Sequence, residues 1–267
     1  MAFKTSWLGK LSQAHSFRPA PYFKSALSIA YGYYAWSIFV ACVVIFGSVA
    51  IVLHHPARAQ QVLKLGARLL CRLCGITLSI EGLDRLPPHP HILIVNHTSF
   101  MDPVALIALL PTKPGYRFIA RQQYRHQSLL WPLLKSVGTV ILKRPDQHHD
   151  LPNVALLVHA IQAGNNLVIF PEGEFLPEPG MRPFHSGAFV AAQQANVPIV
   201  VAAIYGAAEV LRPGLWQPKK KPIKVAIGPV LYPGSVSGAS IGFLVNVSRA
   251  AMVQLQENLE RPSPKIK

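Results

Sequence analysis

The longest apolar run of the chain lies near its start. No charged residue occurs from Ser25 to Leu53, and Trp36–Leu53 is apolar apart from two serines and one glycine. At 1.5 Å per residue, a helix of this length reaches across the hydrocarbon core of a bilayer, which is about 30 Å thick. Aromatic side chains typical of a membrane interface stand at its entry: Tyr31, Tyr33, Tyr34 and Trp36. The pattern predicts a membrane-associated helix.

Several alternatives stay open for this segment. A signal peptide is one, because Ala57-Arg58-Ala59 resembles a cleavage site, although the leader and the apolar region are both longer than usual. A buried helix of a soluble protein is another. Basic residues flank both ends of the run in similar number, so the positive-inside rule selects no orientation. A single span and a re-entrant insertion are therefore equally compatible with the sequence.

A second helix is predicted over Pro56–Ile76, where apolar and basic residues recur at helical spacing. The apolar set is Val62, Leu65, Leu69 and Leu73, and the basic set on the opposite face is Lys64, Arg68 and Arg72. This pattern is typical of a helix that lies on an anionic membrane surface. The alternative is a helix that packs its apolar face on the core and leaves the basic face in solvent.

Beyond residue 76, short apolar runs bounded by Gly, Pro and Asn alternate with helical stretches. The predicted strands are Ile76–Ile80, His91–Val95, Arg117–Ala120, Thr139–Leu142, Leu167–Phe170, Ile199–Ile204 and Lys224–Ile227. The predicted helices are Pro103–Leu110, Leu129–Ser136, Leu151–Ala163, Ala188–Ala195 and Gly242–Leu259. Such alternation indicates an α/β fold in which helices cover a mixed sheet. We expect an N-terminal membrane-associated helical segment over residues 1–75 and a catalytic α/β domain over 76–267.

Composition narrows the class of protein. The 267 residues carry 26 Lys+Arg against 11 Asp+Glu, a formal charge of +15, yet 51% of them are hydrophobic and only 14% are charged. A disordered basic tail lacks the apolar residues for such a core, so this class is excluded. The first acidic residue is Glu81, and the basic, apolar N-terminal part predicts contact with anionic membrane lipid rather than nucleic acid. Three cysteines provide neither a disulfide framework nor a paired C-x-x-C zinc site, so no metal is expected.

A histidine stands where the strand His91–Val95 ends and an apolar helix begins. Open α/β sheets bind ligands at this position. Asp102, five residues after His97, could accept a hydrogen bond from the imidazole, fix its tautomer and raise its basicity. The chain has no Gly-x-Ser-x-Gly elbow, so the nucleophile would be a substrate hydroxyl. The alternatives are an ordinary Asp-Pro helix start and a histidine that is satisfied within the core.

A second candidate cluster follows the strand Leu167–Phe170. Pro171, Glu172 and Gly173 form a rigid turn that could present a carboxylate and backbone N–H groups to a ligand, although such a sequence is also a plain turn signal. Arg121 and Arg144 each end a predicted strand. Arginine side chains at that edge could bind a phosphate group, although arginines more often form salt bridges at the surface.

Six motifs in one order give the chain a resemblance to a known family. Four are numbered motifs: the first is Asn96-His97 with Asp102, the second Gly138–Arg144, the third Phe170–Gly173 and the fourth Val197–Val200. The other two are Glu81-Gly82-Leu83 before the first motif and Pro183–Phe189 after the third. Over about residues 60 to 230 the chain resembles the glycerolipid acyltransferase family, in particular its bacterial 1-acyl-sn-glycerol-3-phosphate acyltransferases. An ordered set of motifs is far more specific than any single one.

The resemblance implies transfer of a fatty acyl group from an acyl thioester to the hydroxyl of lysophosphatidic acid, giving phosphatidic acid. It implies that His97 is the general base, oriented by Asp102, and that Arg144, Glu172 and Gly173 hold the acceptor's head group. Arg121 is a weaker candidate for the same role. No bound cofactor is implied, and the co-substrate is acyl-CoA or acyl-carrier protein. The implied location is the inner, cytoplasmic membrane, with the catalytic domain on its cytoplasmic face.

The chain departs from the family pattern after the third motif. Where Thr-Arg commonly follows Glu-Gly, this chain has Glu174 and Phe175, so a cation is replaced by an anion. Arg182 is a candidate to supply the missing positive charge. Another lysolipid, such as lyso-ornithine lipid or a lysophospholipid, is therefore an alternative acceptor. A membrane-anchored basic binding protein without catalysis is the alternative from another functional class.

Overall fold

The computed structural model describes residues 21–128, 130–142, 151–174, 180–233 and 240–261. Arg144 and Phe175, both singled out from the sequence, lie outside these residues. Within the described ranges, seven strands form one sheet. They are β1 (Leu78–Glu81), β2 (Ile92–Val95), β3 (Tyr116–Arg121), β4 (Val140–Leu142), β5 (Asn166–Ile169), β6 (Ile199–Tyr205) and β7 (Ile223–Leu231).

The strand order is β1-β7-β6-β2-β5-β3-β4. Strands β6 and β7 pair antiparallel, and the other five pairs are parallel, so the predicted mixed sheet is confirmed. The central strands β2 and β5 are buried at every position. This burial explains the uninterrupted apolar sequence of β2 and the apolar run Leu167–Ile169 of β5, because a strand covered on both faces has no polar side to alternate with.

Helices cover both faces of the sheet. They are α1 (Pro21–Cys42), α2 (Ser48–Val52), α3 (Pro56–Leu73), α4 (Met101–Leu109), α5 (Leu130–Ser136), α6 (Leu151–Gln162), α7 (Gly187–Ala195), α8 (Ala207–Val210) and α9 (Ile241–Glu260). Side chains of α1, α3, α4 and α8 share one hydrophobic cluster with the sheet, and those of α6, α7 and α9 form the cluster on the other face.

All seven predicted strands and all five predicted helices of the α/β part are present, with ends shifted by a few residues. Three short elements were not predicted: α8 and the 3₁₀ turns Leu83–Arg85 and Gln122–His126. Each is five residues or fewer, too short for apolar periodicity to register. The predicted boundary at residue 75 falls in the turn between α3 and β1, and it stays a prediction.

The N-terminal apolar run forms one long helix. Helix α1 continues through a π turn at Val43–Gly47 into α2, and Ala26–Val52 is long and apolar enough to cross a membrane. Both halves of this helix contact the rest of the chain. Trp36 Nε1 donates to Trp216 O at 2.7 Å, and Gly47 packs against Leu133 of α5. The helix therefore lies along the α/β domain instead of projecting away from it.

Helix α3 is present, and its packing contradicts the alternative in which the apolar face lies on the core and the basic face in solvent. The membrane-surface interpretation stays a prediction. Small residues such as Gly66 and Ala67 are buried, while Leu65 and Leu69 are exposed. Lys64 Nζ donates to Leu110 O at 2.5 Å, and Arg68 Nε donates to Ala108 O at 2.8 Å. These carbonyls end helix α4, where cations are favoured by the unpaired C=O groups and the helix dipole. Two of the three basic residues, Lys64 and Arg68, therefore face the protein, and the apolar face of the helix is turned outward.

Candidate active site

The candidate site lies where parallel strands of the sheet end together. Strands β2, β3, β5 and β6 run in the same direction, so their carboxyl ends meet at one edge. His97 follows β2, Arg121 ends β3, and the Phe170–Glu174 segment follows β5. The topology thus joins the first and third motifs of the sequence.

His97 and Asp102 form a direct pair. His97 Nδ1 lies 2.8 Å from Asp102 Oδ2, and the two side chains are 14% and 0% exposed. A carboxylate can only accept a hydrogen bond, so Nδ1 carries the proton and Nε2 is the proton-accepting nitrogen. The imidazole also stacks on the ring of Phe170, with centroids 4.1 Å apart and planes 16° apart. One ring orientation is therefore fixed by a hydrogen bond and a stacked neighbour.

The chain itself holds Asp102 in place. Asp102 Oδ2 accepts the backbone N–H of Thr98 at 2.6 Å and that of Ser99 at 2.8 Å. These N–H groups provide hydrogen-bond partners that compensate for the complete burial of the carboxylate. The segment between His97 and α4 is thus wrapped around the carboxylate, which explains why the two residues need this short separation.

Glu172 connects the third motif to the first. Its Oε1 accepts the backbone N–H of His97 at 2.9 Å, and its Oε2 accepts the backbone N–H of Arg182, also at 2.9 Å. The side chain is 5% exposed. Both carboxylate oxygens are thus engaged by the protein, and the geometry gives Glu172 a positioning role that the sequence did not indicate.

Two further residues support the loop, and the sequence analysis assigned neither of them a role. Asn96 bridges β2 to β6: its Nδ2 donates to Ile204 O at 3.0 Å, and its Oδ1 accepts from Ile204 N at 2.7 Å. Ser99 Oγ donates to Leu211 O at 2.7 Å and accepts from Met101 N at 3.1 Å. Their only signal in the sequence was their place inside the first motif.

Arg121 contacts the third motif from the neighbouring strand. It forms an ion pair with Glu174 through Nη1, and its Nη2 donates to Gly173 O at 3.1 Å. Gly173 has a left-handed backbone, with φ of 75°, and a Cβ there would lie 3.0 Å from the His185 ring. Glycine at this position thus allows the close approach of Arg121 and His185.

The structure brings most of the predicted site residues together. His97, Asp102, Glu172, Gly173 and Arg121 share the sheet edge. Arg182 joins them through its backbone N–H bond to Glu172. Arg144 lies outside the described residues, so its assignment stays a prediction.

Backbone N–H groups close to the reacting atoms can stabilise a developing oxyanion, so those of the first and third motifs are of interest. Those of His97, Thr98 and Ser99 donate to Glu172 or Asp102, and the Gly173 N–H donates to Phe170 O. These four donors therefore hold the site together and are not available to a ligand in this arrangement.

His91, at the opposite end of β2, is a structural histidine. It is 1% exposed, its Nδ1 lies 2.9 Å from His89 O, and its Nε2 lies 2.9 Å from Tyr116 Oη. Burial lowers the pKa of His91 below its ordinary value and raises the pKa of Tyr116. A neutral imidazole is therefore kept in the core, far along the strand from His97.

No group of three or more His, Cys, Asp or Glu side chains suitable for a metal ion occurs among the residues whose structure is described. His97 is engaged with a single carboxylate, and the three cysteines in the described ranges are buried and unpaired. The arrangement suits proton transfer by an oriented imidazole.

Residues 77–205, which contain both motifs of the site, match the family model described as Acyltransferase. These residues therefore form an acyltransferase domain. The resemblance read from the ordered motifs is thereby confirmed.

Curated relatives match about half of the chain. The 1-acyl-sn-glycerol-3-phosphate acyltransferase of Neisseria meningitidis is 27% identical over 150 residues, 55% of this chain and 56% of that protein. The yeast Saccharomyces cerevisiae protein of the same name is 27% identical over 144 residues, 53% of this chain and 47% of that protein. A lyso-ornithine lipid O-acyltransferase of Pseudomonas aeruginosa is 29% identical over 136 residues, 51% of each chain. The chain spans about half the length of these relatives.

A solved structure extends the likeness beyond the acyltransferase domain. The crystal structure of the 1-acyl-sn-glycerophosphate acyltransferase of Thermotoga maritima superposes with a TM-score of 0.75, covering 90% of this chain and 99% of that one. Sequence identity is 18%, so this likeness concerns the fold. It confirms the α/β fold with a helical N-terminal part.

Proposed function

We propose that this chain transfers a fatty acyl group from an acyl thioester to the free hydroxyl of lysophosphatidic acid, giving phosphatidic acid. The observation that carries the proposal is the His97–Asp102 pair, 2.8 Å apart at the sheet edge of an acyltransferase-family domain. Two of the relatives named above act, by their names, on 1-acyl-sn-glycerol-3-phosphate.

In the proposed reaction, His97 Nε2 takes the proton of the acceptor hydroxyl while the oxygen attacks the thioester carbonyl carbon. The tetrahedral intermediate collapses to the ester, the C–S bond breaks, and the leaving thiolate receives the proton from the imidazolium. Asp102 stabilises that imidazolium and keeps Nδ1 protonated. General-base assistance of this kind contributes about 10²–10⁴ in rate.

The proposed head-group site is built from the same edge. Arg144 and Arg182 are the proposed cations for the acceptor's phosphate, and Gly173 leaves room beside them. Glu172 contributes by positioning His97 and Arg182, since its two oxygens accept their backbone N–H groups. Acyl-CoA and acyl-carrier protein both remain candidates for the donor.

A second acceptor class is favoured by the ion pair of Arg121 with Glu174. This pair neutralises Arg121. An unpaired carboxylate about 4 Å from a phosphate would cost about 4 kcal/mol at an effective dielectric constant near 20, but the paired Glu174 acts by cancelling the positive charge that Arg121 would offer a phosphate. A lysolipid with a cationic amine, such as lyso-ornithine lipid, does not need that charge. The Pseudomonas relative supports this alternative.

The proposed setting is the cytoplasmic face of the inner membrane. Helix residues Ala26–Val52 expose an apolar surface that includes Val40, Val44 and Val49, and Leu65 and Leu69 of α3 are exposed as well. Because the helix contacts the domain through both halves, a re-entrant or in-plane insertion fits the packing better than a single span. A lysolipid acceptor would reach the sheet edge from that surface.

The test is thiol release from a long-chain acyl-CoA by the full chain in detergent, with lysophosphatidic acid, lyso-ornithine lipid or no acceptor. We expect release that requires lysophosphatidic acid and that falls at least 100-fold in His97→Ala. His126→Ala, which removes an exposed histidine of the 3₁₀ turn, is the matched control and should retain activity.

Each other outcome has a definite meaning. Release only with lyso-ornithine lipid would transfer the function to the second acceptor class. If acyl-CoA supports no release, the assay is repeated with acyl-carrier protein as the donor. Absence of release with both donors would favour a non-catalytic basic binding protein.

A further inference from the structure

The segment Val210–Lys221, here called the docking loop, is a closed loop beside the active site. Lys219 N donates to Val210 O at 2.7 Å and closes its base, and Leu215 N donates to Arg212 O in the turn at its tip. Val210 and Leu211 at the base are buried, whereas Leu215 and Trp216 at the tip are 53% and 47% exposed. The loop therefore has a fixed base and an apolar, outward-facing tip.

The base of the docking loop is attached to the catalytic motif. Leu211 O accepts the hydroxyl of Ser99 at 2.7 Å, and the backbone N–H of Ser99 donates to Asp102 at 2.8 Å. Two hydrogen bonds thus separate the loop from the carboxylate that orients His97. Whatever surface the loop touches is held at a fixed position relative to the site.

The tip of the docking loop packs on the aromatic entry of α1. Trp216 O accepts from Trp36 Nε1 at 2.7 Å, and the Trp216 ring lies 5.4 Å from the Tyr33 ring. A Cβ on Gly32 would lie 2.9 Å from the Trp216 ring, so glycine is needed there for this contact. Lys220 Nζ stands 4.9 Å above the ring of Tyr31. Aromatic side chains from two segments about 180 residues apart therefore form one belt.

The charge of the docking loop has no acidic counterpart nearby in sequence. Arg212 and Lys219–Lys221 are exposed, and no Asp or Glu occurs between Glu209 and Glu257. Glu209 itself accepts the hydroxyl of Tyr205 at 3.0 Å. Of the two ion pairs found in the described part of the chain, neither involves these cations.

From this geometry we propose that the docking loop binds the anionic head groups of a bilayer and seats the active site on the membrane. Lysine and arginine beside a bilayer attract anionic lipid, while Trp and Tyr favour the level of the head groups. The exposed Leu215 and Trp216, continuous with the apolar surface of α1, favour a lipid surface over a nucleic acid. The inference extends the proposed membrane setting and adds the residues that recognise the lipid.

The test measures partitioning of the full chain onto vesicles that contain no substrate, so its outcome does not depend on acyl transfer. Neutral phosphatidylcholine vesicles are compared with vesicles containing about one third phosphatidylglycerol, at low and high salt. The loop variant carries Lys219→Gln, Lys220→Gln and Lys221→Gln. The matched control carries Lys113→Gln, Arg125→Gln and Arg261→Gln, which also removes three exposed positive charges.

We expect the loop variant to lose on the order of 100-fold in partitioning onto the anionic vesicles, since each lysine near the surface contributes about fivefold. Its partitioning onto neutral vesicles should be unchanged, and the control should stay within about threefold of the original chain. Replacing the three lysines by arginine should preserve binding, which separates charge from misfolding. Trp216→Ala should weaken binding to both vesicle types by a similar factor, because apolar contact does not depend on head-group charge.

Equal losses in the loop variant and the control would overturn the proposal, because the net charge alone would then explain the binding. Unchanged binding of the loop variant to anionic vesicles would overturn it as well. Tighter binding of the original chain to a DNA duplex than to anionic vesicles, lost in the loop variant, would assign the loop to nucleic acid instead.

Discussion

Glu172 Oε1 accepts the backbone N–H of His97 at 2.9 Å, across 75 residues of chain. The other oxygen of the same carboxylate accepts the backbone N–H of Arg182. The third motif therefore sets the position of the first, and the sheet brings them together because β5 is the neighbour of β2. A buried carboxylate that serves two backbone donors is tightly constrained in both shape and charge.

Glu172→Gln should lower both stability and activity. The amide has one acceptor oxygen in place of two, so its NH₂ group would face the N–H of His97 or Arg182 and leave that donor unpaired. A buried unpaired donor costs about 1–3 kcal/mol. The measurement is the free energy of unfolding in denaturant together with kcat. Glu260→Gln, an exposed change at the end of α9, should alter neither, and equal stability of the two variants would contradict this role of Glu172.

Asp102→Asn should reduce kcat by about 10²–10⁴ with little change in KM. The amide can still accept the N–H groups of Thr98 and Ser99, but it carries no charge to stabilise a protonated His97. Steady-state kinetics with saturating acyl thioester measures the effect. A kcat within threefold of the original enzyme would show that the 2.8 Å pair has no part in proton transfer.

Glu174→Gln should shift acceptor preference toward lysophosphatidic acid. It releases Arg121 from its ion pair and removes an anion from the site, so kcat/KM for the phosphate acceptor should rise about tenfold, equivalent to about 1.4 kcal/mol. The rise should shrink at high salt because both side chains are exposed. Stability should change by less than about 1 kcal/mol, the usual limit for an exposed pair.

Glu257→Gln, a change on the exposed surface of α9, is the control for the loss of one negative charge. The same rise in that variant would assign the effect to net charge. An unchanged ratio of kcat/KM between lysophosphatidic acid and lyso-ornithine lipid in Glu174→Gln would remove Glu174 from the specificity argument.

The burial of His91 predicts that the folded chain loses stability as the pH falls. Its pKa is lowered in the folded chain, so below the ordinary value of 6.5 the unfolded chain binds a proton that the folded chain does not. Stability from this group is therefore present above about pH 6.5 and is lost as the pH falls below it, by at most about 1.4 kcal/mol per pH unit. Unfolding free energies between pH 7.5 and 5.5 should have a smaller slope in His91→Gln. An unchanged slope would contradict the assignment, and the exposed His126→Gln serves as the control.

Gly66→Ala should loosen the packing of α3 against the π turn that joins α1 and α2. A Cβ at this position would lie 2.7 Å from Phe46 Cγ, and overpacking of this kind costs about 1–3 kcal/mol, partly offset by about 1 kcal/mol of better helix propensity. Gly242→Ala in α9 is the matched control, because the nearest atom to its Cβ is 3.8 Å away. Unfolding in detergent should show a lower transition temperature for Gly66→Ala alone.

The sequence was most informative where local pattern and tertiary environment agree. The runs Ile92–Val95 and Leu167–Ile169 are apolar because both faces of their strands are buried, and each is followed by a motif that breaks the strand. Helix α3 shows the limit of the same reasoning. The spacing of the residues indicated which of them share a face of α3. Only the carbonyl groups at the end of α4 explain why Lys64 and Arg68 face inward.

The features of the site that the sequence could not indicate depend on contacts between residues distant in the chain. His97 and Asp102 are five residues apart, so their pairing could be proposed from spacing. Glu172 was read as a turn residue or a head-group ligand because its partners are backbone groups distant in sequence, which no side-chain pattern reveals. The pairing of Arg121 with Glu174 depends on β3 lying next to β5, and strand order is likewise a tertiary property.

The contact of the long N-terminal helix with the domain through Trp36 and Gly47 has a further consequence. A helix that crosses a bilayer freely adjusts its tilt when the hydrocarbon thickness changes, and this adjustment sorts spanning proteins among membranes. A helix fixed to a rigid body along its length has no such freedom. Its response to the bilayer should follow the lipid packing and surface charge of a single leaflet, and not the distance between two leaflets.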